Sequence, residues 1–532
     1  MMYPYKILFA FLVFCAQIMN ANVSVNALFS NHMVVQQKTK IPVWGWADPM
    51  EKITVVAGWG QKAEVVTSSD GTWKVEIKTP KAGGPFNISI YGKDTLKISD
   101  VLSGEVWLCS GQSNMDFALN KFVNDAREKE YQPLVEFIRN EIATADDSLL
   151  RHIEIPQTPS LYNKKHNFKA NWGSATPDNT GNITATGYFF AKELRKNLNV
   201  PIGIIECSWG GTRIQPWISV DTYMKHETTK AYYEHEMKNA KGKIVEMAQE
   251  GYEDTVFQNK YNEWIQSGKT IPRPWPTVHP EKSKQIPATL HNGMISAIKP
   301  YAIKGVIWYQ GESNSHYMEE SYGFYLKELV TSWREEWGQG NFPFYCTQLA
   351  AFKVTDERSN VGWAAVSDQI RTVCTTLPKT GMAVLHDIGE AIDVHPHNKK
   401  DVGKRLSKWA LKKDYNKKVQ AVSGPLFKRI KKSNNKIIVK FIHVGSGLMV
   451  GHKQLMDDAV PVSESLKWFE VAGQDGVWKT ANAQIISKNM VEVSHLDVLK
   501  PIKVRYAWSS NPEGANLYNK NGLPAAIFTS DQ

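Results

Sequence analysis

Between about residues 101 and 418 this chain alternates short apolar runs with helical patterns, and this alternation restricts its fold more than any other feature. The runs that fit buried strands are 106–109, 202–206, 303–309, 344–349 and 382–385. Helical periodicity separates them, as in residues 188–198 and 322–337. Because strands that alternate with helices form parallel sheets covered on both faces, we predict an α/β domain at 101–418.

Two β-rich regions flank the predicted α/β domain. Short strand-like runs separated by turn signals occupy residues 22–100 and favour a small β-sandwich. From residue 419 to residue 532 the pattern is β-rich again. A charged, tyrosine-rich stretch at about 222–285 interrupts the α/β pattern, and we expect it to form a helical insertion that borders the cleft. The sequence therefore predicts a large central α/β domain between two smaller β domains.

The first 21 residues have the layout of a secretory signal peptide. Lys6 precedes an apolar run at 7–14, and small residues follow at Ala16 and Ala21, where we expect cleavage. That run is too short to cross a bilayer, and no other stretch reaches about 18 apolar residues. We therefore expect a protein that is exported to the periplasm or beyond the cell and has no membrane span.

Charge and cysteine content argue against several classes of partner. The formal charge of +10 is spread over scattered lysines without a long basic arm, which argues against a nucleic-acid partner. Four cysteines remain after the expected cleavage and lie mostly in strand-like runs, so we expect buried thiols rather than disulfides. No Cys/His spacing resembles a zinc site. The sequence therefore predicts no metal or organic cofactor, and it leaves the oligomeric state open.

A serine directly after the strand at 106–109 is the first candidate for chemistry. Gly111 ends the apolar run and Ser113 follows, at the edge where open α/β sheets bind ligands. Its hydroxyl is a candidate nucleophile, and the alternative is an ordinary turn or capping serine. The α/β-hydrolase turn has a glycine two residues after its serine. Met115 stands at that position here, so the sequence disfavours the α/β-hydrolase fold.

Two further polar segments follow strands of the same predicted sheet. Gly210 and Gly211 come after the strand at 202–206, and glycine lets a backbone N–H approach an oxyanion closely. Gln310 follows the strand at 303–309 and can donate through its amide. Glu312 is either a supporting carboxylate or itself catalytic. The alternatives for these segments are a tight turn and a polar capping loop.

The loop at 387–397 supplies a base and an acid. Residues two apart in an extended segment face the same way, so Asp393 can orient the imidazole of His395. A serine, a histidine and an orienting carboxylate make an activated nucleophile. His397 is the rival base, and Asp387 and Glu390 are the rival acids. The alternative is an acid-rich loop whose histidine caps the helix predicted at 398–411.

The order of these blocks resembles the SGNH hydrolase plan, in which one late loop carries both acid and base. More narrowly, residues 104–115 around Ser113 resemble the signature of the sialate O-acetylesterase family. The other segments that resemble this family are 32–37, 208–212, 308–314, 333–334, 393–396 and 505–508. The resemblance covers nearly the whole chain after residue 21.

The resemblance implies an SGNH-type serine esterase that removes O-acetyl groups from carbohydrate. It implies that Ser113 is the nucleophile, His395 the base and Asp393 the orienting acid. The implied oxyanion donors are the Ser113 backbone N–H, a glycine of the pair Gly210 and Gly211, and Gln310. Gln310 is a departure, since many SGNH enzymes have asparagine there. The implied substrate is an acetylated carbohydrate, and the favoured candidate is O-acetylated sialic acid.

Two other functions compete with this hypothesis. The first keeps the chemistry and changes the substrate to acetylated xylan or another polysaccharide. Arg213, beside the glycine pair, is a candidate cation for a sugar carboxylate, and its alternative is a surface salt bridge. The second is a non-catalytic carbohydrate-binding protein in which two β domains flank a decayed hydrolase domain. Acetate release distinguishes an enzyme from such a binding protein.

Overall fold

The N-terminal β region has one separate antiparallel sheet and a second group of strands that is continuous with the central sheet, and both pack in one core. A computed structural model describes residues 22–123 and 129–531, and the signal peptide predicted at 1–21 lies outside these residues. The strands are β1 (Ser24–Val25), β2 (Val34–Gln36), β3 (Lys40–Trp46), β4 (Lys52–Ala57), β5 (Gln61–Val66), β6 (Thr72–Lys78) and β7 (Gly83–Tyr91). One sheet has the order β1-β3-β6, and in the other β4 pairs with β5 and β7. Along β6 the buried residues Trp73, Val75 and Ile77 alternate with exposed ones, as expected for a strand with one face in a core.

The central sheet is mainly parallel, and its middle strand begins in the N-terminal region. Its strands are β8 (Thr95–Gly111), β9 (Asp147–Glu154), β10 (Gly173–Ala175), β11 (Ile202–Ser208), β12 (Gly305–Tyr309), β13 (Phe344–Thr347) and β14 (Thr380–Ala383). The order across the sheet is β10-β9-β11-β8-β12-β13-β14, with β10 antiparallel to β9. The long strand β8 also pairs with β7 and β2. The boundary predicted at residue 101 therefore falls inside one continuous strand.

Helices pack against both faces of this sheet. The α-helices of the described residues are α1 (Ser113–Asp116), α2 (Gln132–Ala143), α3 (Pro177–Thr180), α4 (Ala185–Leu198), α5 (Val220–Tyr223), α6 (Glu227–Met247), α7 (Thr255–Gln266), α8 (Ser296–Ile298), α9 (Tyr322–Trp337), α10 (Glu357–Thr376) and α11 (Lys399–Lys413). Trp107 of β8 lies in an apolar cluster with residues of α4 and α11, whereas Leu108 lies in a cluster with residues of α9 and α10. Successive residues of a strand point to opposite faces, so each face of β8 is covered by its own helix layer. Helices α6 and α7 occupy the stretch predicted to be a helical insertion.

The C-terminal region is β-rich and packs against the central domain. Its strands are β15 (Leu426–Ser433), β16 (Lys436–Ile442), β17 (Leu448–His452), β18 (Val460–Pro461), β19 (Phe469–Ala472), β20 (Trp478–Thr480), β21 (Asn482–Ser487), β22 (Met490–Ser494), β23 (Lys503–Tyr506), β24 (Leu517–Asn519) and β25 (Phe528–Thr529). Gln348, just after β13, donates to the carbonyl of Ile527 at 3.1 Å, and His386 contacts the carbonyl of Ala525 at 2.8 Å. Across the described ranges, none of the helices is both long enough and apolar enough to span a bilayer.

Candidate active site

Three neighbouring strands end at the same level and start the loops that form the site. In the strand register Gly111 of β8 lies opposite both Ser208 of β11 and Tyr309 of β12. Gly111 has a φ of +139°, and a Cβ there would lie 2.1 Å from the carbonyl oxygen of Tyr309. Only glycine fits this close approach. The chain therefore turns sharply after β8 and places Ser113 at the carboxyl edge of the sheet.

Ser113, His395 and Asp393 lie in the order that an activated serine requires. The Oγ atom of Ser113 is 2.9 Å from Nε2 of His395. On the other side of the ring, Nδ1 of His395 is 3.4 Å from Oδ1 of Asp393, and this oxygen also accepts the His395 backbone N–H at 2.9 Å. The Phe117 ring stacks on the imidazole with centroids 4.1 Å apart. The carboxylate and the phenyl ring together fix the orientation of the imidazole toward Ser113.

The rival base and acids of the same loop have other partners. Nδ1 of His397 lies 3.0 Å from both carboxylate oxygens of Glu390, and this pair is buried. Asp387 accepts two hydrogen bonds from Arg405, at 2.6 Å and 2.8 Å, in a second buried ion pair. Of the carboxylates that were candidates for orienting the base, Asp393 is therefore the one in contact with His395.

The first glycine of the pair lies directly against the serine. A Cβ on Gly210 would be 3.3 Å from the Cβ of Ser113. The Gly210 N–H donates to Oδ2 of Asp116 at 3.1 Å, and burial raises the pKa of that carboxyl. Lys284 and Gln285, just beyond the insertion helices, donate to the Gly210 and Gly211 carbonyls at 2.6 Å each. The insertion thus borders the site and holds the glycine loop.

Gln310 lies behind the loops and does not face the open site. It is fully buried, and its Nε2 contacts Oε1 of Gln112 at 3.1 Å, the carbonyl of Thr212 at 3.2 Å and Oδ1 of Asn314 at 2.9 Å. An amide group has two N–H bonds to donate, so these acceptors use its full capacity. In this structure Gln310 links the turn that precedes Ser113 to the two neighbouring loops.

Arg213 lies beside the glycine loop and stacks on an aromatic ring. Its guanidinium carbon is 3.4 Å from the centroid of Tyr317, and its backbone N–H donates to Gln285 at 3.2 Å. The hydroxyl of Tyr317 contacts that of Tyr232 in α6 at 3.2 Å. Within residues 22–123 and 129–531 no carboxylate forms an ion pair with Arg213, so the surface salt bridge considered as its alternative is absent there.

A buried polar cluster behind Ser113 contains Glu312, for which the sequence left a supporting or a catalytic role open, and two residues that the sequence did not single out. Asn114 donates to Oε1 of Glu312 at 2.7 Å and accepts from Nζ of Lys399 at 2.7 Å. Burial raises the pKa of the Glu312 carboxyl. Glu312 thus contacts the residue next to Ser113 and not Ser113 itself, and nothing in the local pattern indicated that Lys399 would join it. In the described part of the chain no three His, Cys, Asp or Glu side chains are grouped so that they could hold a metal ion.

Comparisons with known proteins assign the chain to a class and then to a family. A family model described as "Carbohydrate esterase, sialic acid-specific acetylesterase" matches residues 103–251 and 265–412. The chain is thus a carbohydrate esterase. Because the match covers more than half of the 532 residues, the chain belongs to the family of sialic acid-specific acetylesterases. It is a carboxylic ester hydrolase.

Individual relatives resemble the chain over nearly its whole length. Sialate O-acetylesterase of Mus musculus is 28% identical over 94% of this chain and 92% of its own length. The enzyme of the same name from Homo sapiens is 26% identical over 94% of this chain and 91% of its own. A crystal structure of a carbohydrate acetylesterase from Xanthomonas citri superimposes with a TM-score of 0.76 at 32% identity, covering 96% of this chain and 100% of that one.

Proposed function

We propose that this chain is an exported SGNH-type serine esterase that removes O-acetyl groups from sialic acid through an acyl-enzyme intermediate. The observation that carries the proposal is the Ser113–His395–Asp393 arrangement, with Ser113 Oγ 2.9 Å from the imidazole. This distance lies within the range required for direct proton transfer to a general base. The family match supplies the substrate class, and the serine mechanism is argued from the geometry.

The reaction proceeds by two acyl transfers. His395 takes the proton of Ser113 as its Oγ attacks the acetyl carbonyl, and Asp393 stabilises the imidazolium that forms. The imidazolium then protonates the sugar oxygen, which leaves as a hydroxyl group and leaves the acetyl group on Ser113. Water, deprotonated by His395, attacks this acetyl ester and releases acetate. Ser113 recovers its proton from His395 in that last step.

The oxyanion of each step is held by backbone amides. Ser113 is the first residue of α1, where a helix N–H has no acceptor within the helix. Gly210 is the second donor, because its peptide lies against Ser113. Its N–H is bonded to Asp116 in the free enzyme, so the acetyl oxygen replaces that carboxylate when substrate binds. Gly211 is exposed and has a φ of +72°, and it serves the turn rather than the oxyanion.

Gln310→Ala tests whether the buried amide acts directly or by positioning its neighbours. The change removes one hydrogen bond each from Gln112, Asn314 and the Thr212 carbonyl, and each lost bond costs about 0.5–1.5 kcal/mol. We expect a lower free energy of unfolding in denaturant titrations and a fall in kcat smaller than the roughly 10²–10³-fold loss of a direct oxyanion donor. A loss of kcat in that larger range at unchanged stability would instead make Gln310 a direct donor.

Arg213 is the feature of the site that favours an anionic sugar. It lies beside the glycine loop, is held on Tyr317 and has no carboxylate partner in the described ranges, so its charge is available to a ligand. A guanidinium matches the geometry of a carboxylate, which sialic acid carries and acetylated xylose units lack. Deacetylation of xylan or another polysaccharide is the competing function.

The proposal is tested by measuring acetate release from two substrates, O-acetylated sialic acid and acetylated xylan. Both the wild type and Arg213→Gln are assayed. We expect release from the sialate, and a KM for it that rises roughly 10–100-fold in the variant, the loss of one charge-assisted hydrogen bond. Arg429 is exposed, and Arg429→Gln is the matched control. It should change neither the KM nor the rate of acetate release for either substrate. Faster release from xylan, unaffected by Arg213→Gln, would favour the polysaccharide. Binding of either sugar without acetate release from any ester would favour the non-catalytic binding protein.

Export rests on residues 1–21, which have the composition of a signal peptide. The cysteines of the described ranges are Cys109, Cys207, Cys346 and Cys374, and all are buried and unpaired, as expected from the sequence. Burial raises the pKa of the Cys109 and Cys207 thiols, so they stay protonated and unreactive. Protonated, buried thiols are compatible with export, and the proposal of export rests on residues 1–21.

A further inference from the structure

Lys399 is a completely buried lysine that the mechanism above does not use. It begins α11, its relative exposure is 0%, and its Nζ donates to Oδ1 of Asn114 and to the carbonyl of Pro396, each at 2.7 Å. The rings of Phe122 and Tyr309 lie 5.2 Å and 5.9 Å from the same nitrogen. Burying an ammonium costs several kcal/mol unless hydrogen bonds and opposite charges compensate it. The buried ammonium of Lys399 therefore calls for a structural or functional explanation.

The hydrogen bonds of Lys399 reach both sides of the catalytic pair. Asn114 is the residue after Ser113, and its amide nitrogen donates to the carbonyl of Val394 at 2.9 Å. Val394 and Pro396 are the neighbours of His395 on either side. The ammonium of Lys399 thus holds the nucleophile turn through Asn114 and the histidine loop through Pro396, while Asn114 joins the two directly.

The charges around Lys399 come from two segments. On its own loop are the carboxylates of Glu390 and Asp393, and on the loop after β12 is Glu312, which attract the ammonium. Two other titratable neighbours are Tyr309 at the end of β12 and His397, whose carbonyl accepts the Lys399 backbone N–H at 2.7 Å. Glu312 is joined to Lys399 through the Asn114 amide, which accepts from one and donates to the other. The amide therefore acts as a bridge between two buried charges of opposite sign.

We propose that Lys399 is a positioning residue that sets the separation of Ser113 and His395 by clamping Asn114 and Pro396. This inference rests on the proposed serine mechanism. Proton transfer from Ser113 requires the two heavy atoms to stay about 2.6–3.2 Å apart. Without the ammonium, Asn114 loses its donor and the Pro396 carbonyl is left buried without a partner. The turn and the loop then separate, and the chemical step slows while sugar binding does not change.

Lys399→Met tests this with Lys453→Met as its matched control. The side chain of Lys453 is also buried, 4% exposed, and its Nζ contacts Asp401 in the first turn of the same helix and the Asp457 carbonyl, neither of which touches Ser113 or His395. Both changes remove a buried ammonium and should lower stability. Only Lys399→Met should lower kcat, by roughly 10–100-fold with KM within about threefold, as expected for lost charge-assisted hydrogen bonds that position a reacting group. Labelling of Ser113 by a serine-reactive phosphonate should slow by the same factor.

The pH dependence of the kcat ratio separates a role of the charge from a role in packing. Burial lowers the pKa of Lys399 to about 7, so the ammonium is present below that pH and is lost as pH rises through it. The ratio of wild-type to Lys399→Met kcat should therefore be largest near pH 6 and fall toward pH 9.

Equal kcat losses in Lys399→Met and Lys453→Met would overturn the positioning role, whereas a ratio that does not change with pH would assign that role to the two hydrogen bonds rather than to the charge. Failure of the wild type itself to react with the phosphonate at Ser113 would overturn the serine mechanism, so the two failures are distinguishable.

Discussion

Replacing Ser113 by alanine is expected to lower acetate release by roughly 10⁴–10⁶-fold, the loss seen when the nucleophile of a triad is removed. The free energy of unfolding should change by less than about 1 kcal/mol. Stability should change little because the Ser113 hydroxyl is hydrogen-bonded to Nε2 of His395, and the His395 side chain is 24% exposed. Water can therefore take the place of the hydroxyl. Activity should be measured as acetate release and stability by denaturant titration.

Ser313→Ala is the matched control for this experiment. Ser313 lies on the neighbouring loop, where its backbone N–H donates to Gln112 at 3.2 Å, so the change removes a serine hydroxyl without touching the nucleophile. It should keep turnover within a few-fold of the wild type. After rapid quenching, mass spectrometry of the wild type should find acetyl on the peptide that contains Ser113. Near-normal turnover in Ser113→Ala, or acetyl on another residue, would exclude Ser113 as the nucleophile.

The strands of the central sheet were predictable where burial on both faces makes a continuous apolar run. The predicted runs 106–109 and 202–206 fall inside β8 and β11. Strand β9 was missed because it carries Arg151 and His152 in its middle. Arg151 is paired with Asp100 at 2.9 Å, and His152 with Glu206 at 2.9 Å. Partners that make such polar residues acceptable in a buried strand lie far away in sequence, so local pattern does not reveal them.

The same distinction between local and distant information holds in the site. The spacing of Asp393 and His395 predicted that their side chains share a direction, and the structure places them in contact. By contrast, nothing near Asp387 indicated that Arg405, on α11, would engage it. The burial of Lys399 and of Gln310 is likewise set by the packing of separate loops. Chemistry carried by adjacent residues was therefore predictable, whereas the residues that hold the loops together were not.

Replacing Asp393 and Asp387 separately by asparagine should produce two different defects. In Asp393→Asn the amide cannot neutralise the imidazolium and its N–H₂ disfavours the required tautomer, so turnover should fall by up to about 10⁴-fold. In Asp387→Asn the buried ion pair with Arg405 is broken. Breaking such a pair leaves an uncompensated charge and costs about 3–5 kcal/mol, while turnover per folded molecule should stay within a few-fold of the wild type.

The two measurements must be made on the same samples, because loss of folded protein also lowers the apparent rate. Titration of active sites with the phosphonate gives the folded, reactive fraction, and denaturant unfolding gives the stability of each variant. The side chain of Asp393 is 12% exposed against 2% for Asp387, so water can partly replace its contacts and its stability loss should be the smaller one. If turnover per active site falls further in Asp387→Asn than in Asp393→Asn, then Asp387, acting through a rearranged loop, is the acid that orients His395.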